Sequence, residues 1–479
     1  MTGPAAGHTD AAGPQAASAS LVIALLVGSA FVMILNETIM SVALPALIAD
    51  LDITVSTAQW LTSGFLLTMA VVIPITGFLL QRFPPRRVYL VSMLLFTAGT
   101  LVSALAPGFP VLLAGRIVQA AGTAVMVPLL MTTVLRLVPV ERRGATMGTI
   151  TIVIAVAPAV GPTLSGVILS SLGWRWMFWI VLPITLVALA AGARWLHVAA
   201  DVRPVPLDLI SVALSALGFG GLVFGLSSVG EAARGHALVA PWLPTVIGLI
   251  ALTVFVTRQL RLQRAGNALL DLRPFAHRPF VLAMVLVVLS MMSLFGVLIL
   301  LPLYLQDVLR VSAFVTGLAV LPGGLAMGLL GPVVGRLYDR LGPRRLVIPG
   351  AVVLTGALWA FTTLGAGSPL WAIIAFHVVL VLGISLMLTP LMTDALGRLP
   401  GQLDSHGSAI MATLQQVAGA AGTALFITVM AVASTGATAG TDVAGARAAF
   451  LVAAIIATIA LPLTFLVGAR KEAAALSDT

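Results

Sequence analysis

Gly335-Arg-Leu-Tyr-Asp-Arg-Leu-Gly-Pro-Arg-Arg345 is a short basic loop closed on both sides by long apolar runs. A variant of it, Gly77-Phe-Leu-Leu-Gln-Arg-Phe-Pro-Pro-Arg-Arg87, stands far upstream between two other apolar runs. A polar element repeated at the same place in two apolar blocks marks a chain built from two related halves.

Working outward from these loops, apolar runs recur along the chain, each near the roughly twenty residues that a helix needs to cross the hydrocarbon of a bilayer. The composition agrees: 60% of the 479 residues are apolar and only 9% are charged, a balance foreign to water-soluble domains. Breaks at charges and at Pro/Gly clusters such as Pro107-Gly108-Phe109-Pro110 divide the chain into fourteen predicted spans. The expected organisation is a disordered tail over 1–20, a six-helix half over 21–196, two extra helices with their loops over 197–278, a second six-helix half over 279–468 and a tail over 469–479. Each quoted loop then follows the second helix of its half. The fold class expected is all-α and integral to the membrane, with a substrate site where the halves meet.

On this map Arg82, Arg86, Arg87, Arg142, Arg143, Arg264, Arg336, Arg340, Arg344 and Arg345 share one side with most other arginines, whereas the opposite side holds Arg175, Arg234, Arg310 and Arg447. Loops kept in the cytoplasm retain Lys and Arg, so the first side and both termini are expected inside the cell membrane. Residues 1–20 lack the basic start of a secretory signal.

The formal charge of +9 sits in short loops beside apolar spans, without aromatic interleaving. That pattern points to topology and contact with membrane lipids, and no nucleic acid is expected as a partner. The absence of cysteine excludes disulfides and thiolate metal sites. An ATP-driven pump needs a glycine-rich loop with a lysine, and the only lysine is Lys471 in the tail. Neither His-Glu-x-x-His nor Gly-x-Ser-x-Gly occurs, so no enzyme is expected, and neither cofactor nor metal. A gradient or a partner must then supply the energy.

The segment from Gly335, with Asp339, Arg340, Gly342 and Arg344, resembles the cytoplasmic-loop signature of the major facilitator superfamily. In order along the chain, Leu35-Asn-Glu-Thr-Ile-Met-Ser-Val-Ala-Leu-Pro45, Gly115-Arg-Ile-Val-Gln119, Ala157-Pro-Ala-Val-Gly-Pro-Thr-Leu-Ser-Gly166 and Trp174-Arg-Trp-Met-Phe-Trp179 resemble its fourteen-helix drug/proton antiporter family. Ser405-His-Gly-Ser-Ala-Ile410 and Leu414-Gln-Gln-Val-Ala-Gly419 are similar to its lincomycin-resistance branch. The chain departs from the family in carrying Asn36 where Asp is common, with the acid displaced to Glu37, and Gln81 and Pro84 for the Asp and Gly of the first loop. The resemblance implies a major-facilitator-type fold of two six-helix halves plus two intervening helices.

Polar residues inside apolar spans are the candidate site. Glu37 lies deep in the first span, where apolar surroundings disfavour an ionised carboxylate, so it is the expected proton-coupling acid. Arg116, deep in the fourth span, is expected to sense its charge, or else to form a static knot with Gln119 one turn away. Asn36, Gln119, His377 and Gln415 are candidate substrate contacts, although Asn36 better suits a helix–helix hydrogen bond and His377 a bond to a neighbour. Pro158, Gly161, Pro162 and Gly166 remove hydrogen bonds and bulk from the fifth span; the resemblance makes them the antiporter motif that seals against proton leak, and a generic small-residue contact is the alternative. Asp339 with Arg340 and Arg344 is the expected gate latch, with Gln81 a weaker counterpart because it cannot form an ion pair. The function expected is proton-coupled export, by a monomer, of lipophilic, cationic or amine-bearing small molecules. Export of one endogenous metabolite and a non-transporting membrane sensor are the alternatives.

Overall fold

The computed structural model describes residues 14–198, 206–233, 239–434 and 442–468, and no strand occurs among them. The first half comprises α1 (Pro14–Leu51), α2 (Val55–Val72, carried through a 3-10 turn at Ile73–Ile75 into Thr76–Arg82), α3 (Pro85–Ala104), α4 (Phe109–Leu137), α5 (Arg143–Leu172) and α6 (Trp176–Trp195). Two helices follow, α7 (Leu209–Ala233) and α8 (Trp242–Leu262). The second half comprises α9 (Arg278–Leu303), α10 (Ala313–Leu341), α11 (Arg344–Phe361), α12 (Leu370–Gly397), α13 (Asp404–Ala433) and α14 (Val443–Thr464). Thirteen stretches are long and apolar enough to cross a membrane among the described residues. The fourteenth helix, α5, runs unbroken for 30 residues among them. α1 begins at Pro14, ahead of position 21 expected from the sequence, while residues 1–13 and 469–479, assigned to the tails, lie outside the described residues.

Local chemistry explains where helices start and bend. Thr54, Ser312 and Asp442 cap α2, α10 and α14 by accepting backbone N–H bonds from Thr57, Val315 and Gly445. Pro74 cannot donate to the preceding turn, and α2 tightens there. Large apolar side chains such as Leu329, Trp371 and Val432 remain exposed around the outside, which lipid and not water accommodates.

Lipid tails are as apolar as leucine, so cohesion between such helices rests on close packing and interhelical hydrogen bonds. Tyr89 of α3 illustrates this: its hydroxyl shares a hydrogen with Ser29 of α1 at 2.9 Å and donates to the Ala188 carbonyl of α6 at 3.0 Å. Between the halves, α5 and α10 form the longest contact, and α13 lies against α4 and the Thr76–Arg82 end of α2. The added pair is not a free spacer. α7 packs against both α2 and α13, and α8 packs on α7.

At the face opposite the arginine-rich loops each half is stapled to itself. Asp50 accepts from Trp174 Nε1 at 2.8 Å and from Arg175 in the first half, and these bonds, the Trp174 bond foremost, hold its carboxyl below the usual range. In the second half Tyr304 donates to the Gly365 carbonyl and Arg447 Nε to that of Leu364.

Candidate transport site and gate

A cavity of about 550 Å³ opens between the halves, walled by α1, α2, α4 and α5 on one side and α9, α10, α12 and α13 on the other. Methionine and other apolar side chains, among them Met33, Met69, Met126, Met291, Met327 and Phe295, form most of its wall. Glu37 and His377 are the two titratable groups among its lining residues, one in each half. Of the expected substrate contacts, His377 and Gln415 reach the wall, joined by Gln416.

Asn36 and Gln119 do not line the cavity; both are buried behind it, where they hold Arg116. Arg116 Nη1 donates to Asn36 Oδ1 at 2.9 Å and to Gln119 Oε1 at 3.0 Å, and its guanidinium lies 4.2 Å from the Phe65 ring centroid. Gln119 in turn donates to Thr100 Oγ1 at 2.8 Å. Consecutive residues of a helix point about 100° apart, so Asn36 meets α4 while Glu37 turns into the cavity. Among the described residues the Glu37 carboxylate has neither hydrogen bond nor ion pair, and Arg116 acts on it through space. A cation held from behind by neutral amides leaves that carboxylate available for exchange.

The expected antiporter motif faces α1. A side chain on Gly161 would meet Thr38 Oγ1 at 2.3 Å, so glycine is what lets α5 approach α1 here. Ser165 one turn on donates to the Ile39 carbonyl at 2.9 Å. Pro158 lines the cavity, whereas Gly166 has open space around it. The Pro162 side chain is outside the described residues.

Toward the arginine-rich face the cavity is shut. Asp339 of α10 accepts backbone N–H bonds from Gly144 at 2.8 Å and Ala145 at 2.9 Å, so its charge rests on the N-terminus of α5 across the two halves. Arg340 is exposed at the surface, and Arg344 begins α11 with its Cβ near Gly468. Below the latch the helices touch at backbone distance: a Cβ on Gly148 would lie 2.2 Å from the Gly331 carbonyl oxygen. Thr151 and Thr389 share a hydrogen bond at 2.7 Å further in.

The counterpart at Gln81 contains residues that sequence reasoning missed. His406 Nδ1 accepts the Asp271 backbone N–H at 3.2 Å, which leaves Nε2 to donate to Gln81 Oε1 at 3.3 Å. Gln259 of α8 receives the Leu269 and Leu270 N–H groups on one side-chain oxygen. The middle of the loop from α8 to α9, residues 268–271, is thereby buried. Burial works to raise the Asp271 carboxyl, but bonds from the Arg273 side chain and backbone hold it below the usual range. His406 stood inside a quoted motif, yet nothing in its spacing indicated a partner 135 positions away.

The model of the Major Facilitator Superfamily matches residues 26–423. Among curated proteins the chain is 44% identical over 421 residues to the lincomycin resistance protein LmrB of Listeria monocytogenes, covering 88% of each chain. It is 40% identical over 411 residues to LmrB of Bacillus subtilis, covering 86% of this chain and 85% of that one. A multidrug resistance protein B homolog of Mycobacterium tuberculosis is 31% identical over 395 residues, with 81% and 72% covered. Among solved structures the human organic anion transporter MFSD10 superposes with a TM-score of 0.66 at 15% identity, over 94% of this chain and 100% of that one, and so shares its fold. With a family model spanning most of its length and a two-halved helical body around a central cavity, the chain is a multi-pass membrane transporter of the major facilitator superfamily.

Proposed function

We propose that this transporter is a proton-coupled antiporter of the cell membrane, exporting lipophilic, cationic or amine-bearing small molecules, with its arginine-rich face in the cytoplasm. The observation that carries the reading is Glu37: a carboxylate free of protein partners, open to an apolar cavity between two halves. An acid with no bonded partner in such a place is costly to keep ionised, which favours its taking up a proton or a cationic guest. A proton and an ammonium compete for its one negative charge, so protonation from the acidic side releases the cargo and loss of the proton on the other side readmits it. Rocking of the halves about the α5–α10 contact would carry the site between the two faces. The names of the relatives, for lincomycin and multidrug resistance, favour drugs over a dedicated metabolite.

The test is substrate-induced proton release from the purified protein across a pH series, paired with uphill transport in proteoliposomes. Glu37→Gln keeps the side-chain volume and removes the charge; it is expected to abolish both. Proton release at the parent level from Glu37→Gln would move the coupling acid elsewhere. The absence of saturable flux from the parent would favour a sensor.

A further inference from the structure

Four consecutive backbone N–H groups in the loop from α8 to α9, those of residues 269–272, are each taken by a side chain. Gln259 Oε1 of α8 accepts from Leu269 at 2.9 Å and from Leu270 at 3.2 Å, and Gln263, one residue past α8, accepts from Leu272 at 3.2 Å. The Asp271 N–H between them goes to His406 Nδ1 on α13. Three of the four bonds therefore tie the loop to the added pair, and the remaining one reaches the second half. Gln259 is itself fixed, because its Nε2 donates to Ser211 Oγ of α7 at 2.6 Å, and Ser211 donates to Asp208 at 2.6 Å. Gln259, Leu269, Leu270, Asp271 and His406 are all buried, so water does not readily replace these partners.

His406 is where three bodies meet. Its backbone belongs to the second half, one ring nitrogen serves the loop, and the other lies 3.3 Å from Gln81 Oε1 in the first half. The approach is close: a Cβ on Gly77, in the same end of α2, would fall 2.8 Å from Nδ1 and 3.3 Å from the His406 Cα. A neutral imidazole carries one proton, on either nitrogen, and only a protonated Nε2 can donate to the Gln81 oxygen. The Asp271 N–H occupies the Nδ1 lone pair and so places that proton on Nε2.

We propose that the loop is a strap that keeps the arginine-rich face shut, with Gln259 as its positioning residue. By presenting the Asp271 N–H to His406, Gln259 selects the tautomer whose Nε2–H ties α13 to the end of α2. Without the strap the proton is free to move to Nδ1, and the face loses a donor across the halves. The added pair then does more than fill space beside the halves: it holds one of their closures. This is so whatever the cargo is, and whether or not Glu37 carries the proton.

The experiment measures the open and closed populations of the arginine-rich face by distance spectroscopy on the full chain, without cargo and at one fixed pH. Spin labels go on single thiols introduced at Arg87 and Gln402, exposed positions in the first and second half, since the chain has no cysteine of its own. Gln81→Leu and Gln259→Leu are each expected to raise the open-to-closed ratio about fivefold, the scale of one buried hydrogen bond. Both act through the same bond, so the double variant should also show about fivefold, not the product of two independent effects. Should Gln259→Leu not fold, Ser211→Ala, which takes away the partner of Gln259 Nε2, replaces it in the same cycle with a smaller single effect. His406→Asn separates the bond from the strap: its side-chain oxygen stands near the place of Nδ1 and still accepts from Asp271, but no donor reaches Gln81. It is expected to open the face about fivefold while the N–H groups of residues 269–272 stay as protected from hydrogen exchange as in the parent. Independent effects in the cycle, or a face as closed in His406→Asn as in the parent, overturn the proposal.

Discussion

The division of labour between Asn36 and Glu37 sets how charge is handled in the first half. Asn36 is the residue in contact with Arg116, at 2.9 Å, so an acid there would neutralise the cation that Glu37 feels. Asn36→Asp is therefore expected to leave substrate-induced proton release intact but extend it to higher pH, because Glu37 gives up its proton less readily beside a compensated arginine. An unchanged pH profile would mean that Arg116 has no influence on the coupling step. The sequence made Glu37, Arg116 and Gln119 visible because polar residues are conspicuous in apolar runs. It left open which of two adjacent side chains meets Arg116, since that depends on the rotation of α1 about its axis. Phe65, under the guanidinium, gave no signal at all, because an aromatic ring in a membrane helix is ordinary until its neighbour is known.

At the scale of elements the closed face is held by α5 against α10. Gly148→Leu cannot be accommodated against the Gly331 carbonyl and is expected to keep the arginine-rich face open, lowering transport by at least about tenfold. Asp339→Asn keeps one acceptor but loses the charge on the α5 N-terminus; it should shift the resting population by about fivefold toward that same open state without loss of substrate binding. Cysteine accessibility or distance spectroscopy across the face reads both, and closure retained in Gly148→Leu would disprove the contact. The α7–α8 pair has its own fastening: Arg258 bonds foremost, with Ser211 and the Ile210 N–H, hold Asp208 down to about 2. A folded value below the unfolded one, near 3.9, means that the bond stabilises above that pH and is lost as pH falls through about 2. Asp208→Asn should melt a few degrees below the parent near neutrality, and the gap should close on acidification. A gap independent of pH would assign the loss to packing instead. Asp339 was legible as part of a motif, but its partners were not: it accepts the backbone N–H groups of Gly144 and Ala145, which sequence does not distinguish from any other helix start.

For the whole molecule, helix count and alternation were readable because span length and arginine placement are properties of the chain taken in order, whereas the seat of the added pair is a property of the packed body. Since the chain has no cysteine, single introduced thiols report sidedness directly. Thiols at Gly108 and Ala366 are expected to react with an impermeant reagent from outside intact cells, and thiols at Arg143 and Arg264 only after permeabilisation; equal labelling at Gly108 and Arg143 would refute the orientation. The position of α7 has a bearing on what the proposed export can accomplish. It runs beside both α2 and α13, with Trp60 stacked on Phe224 at 5.7 Å and Leu67 and Val71 closing onto Gly220. An oily guest in the cavity has two ways to leave, through the mouth into water or sideways through the crack between halves into the surrounding lipid. One that slipped out sideways would dissolve in the bilayer and diffuse back to the cell interior, so the gradient would run down with nothing cleared. In the proposed exporter, a helix laid along one of the two cracks would act as draught-proofing, turning departures toward the water outside.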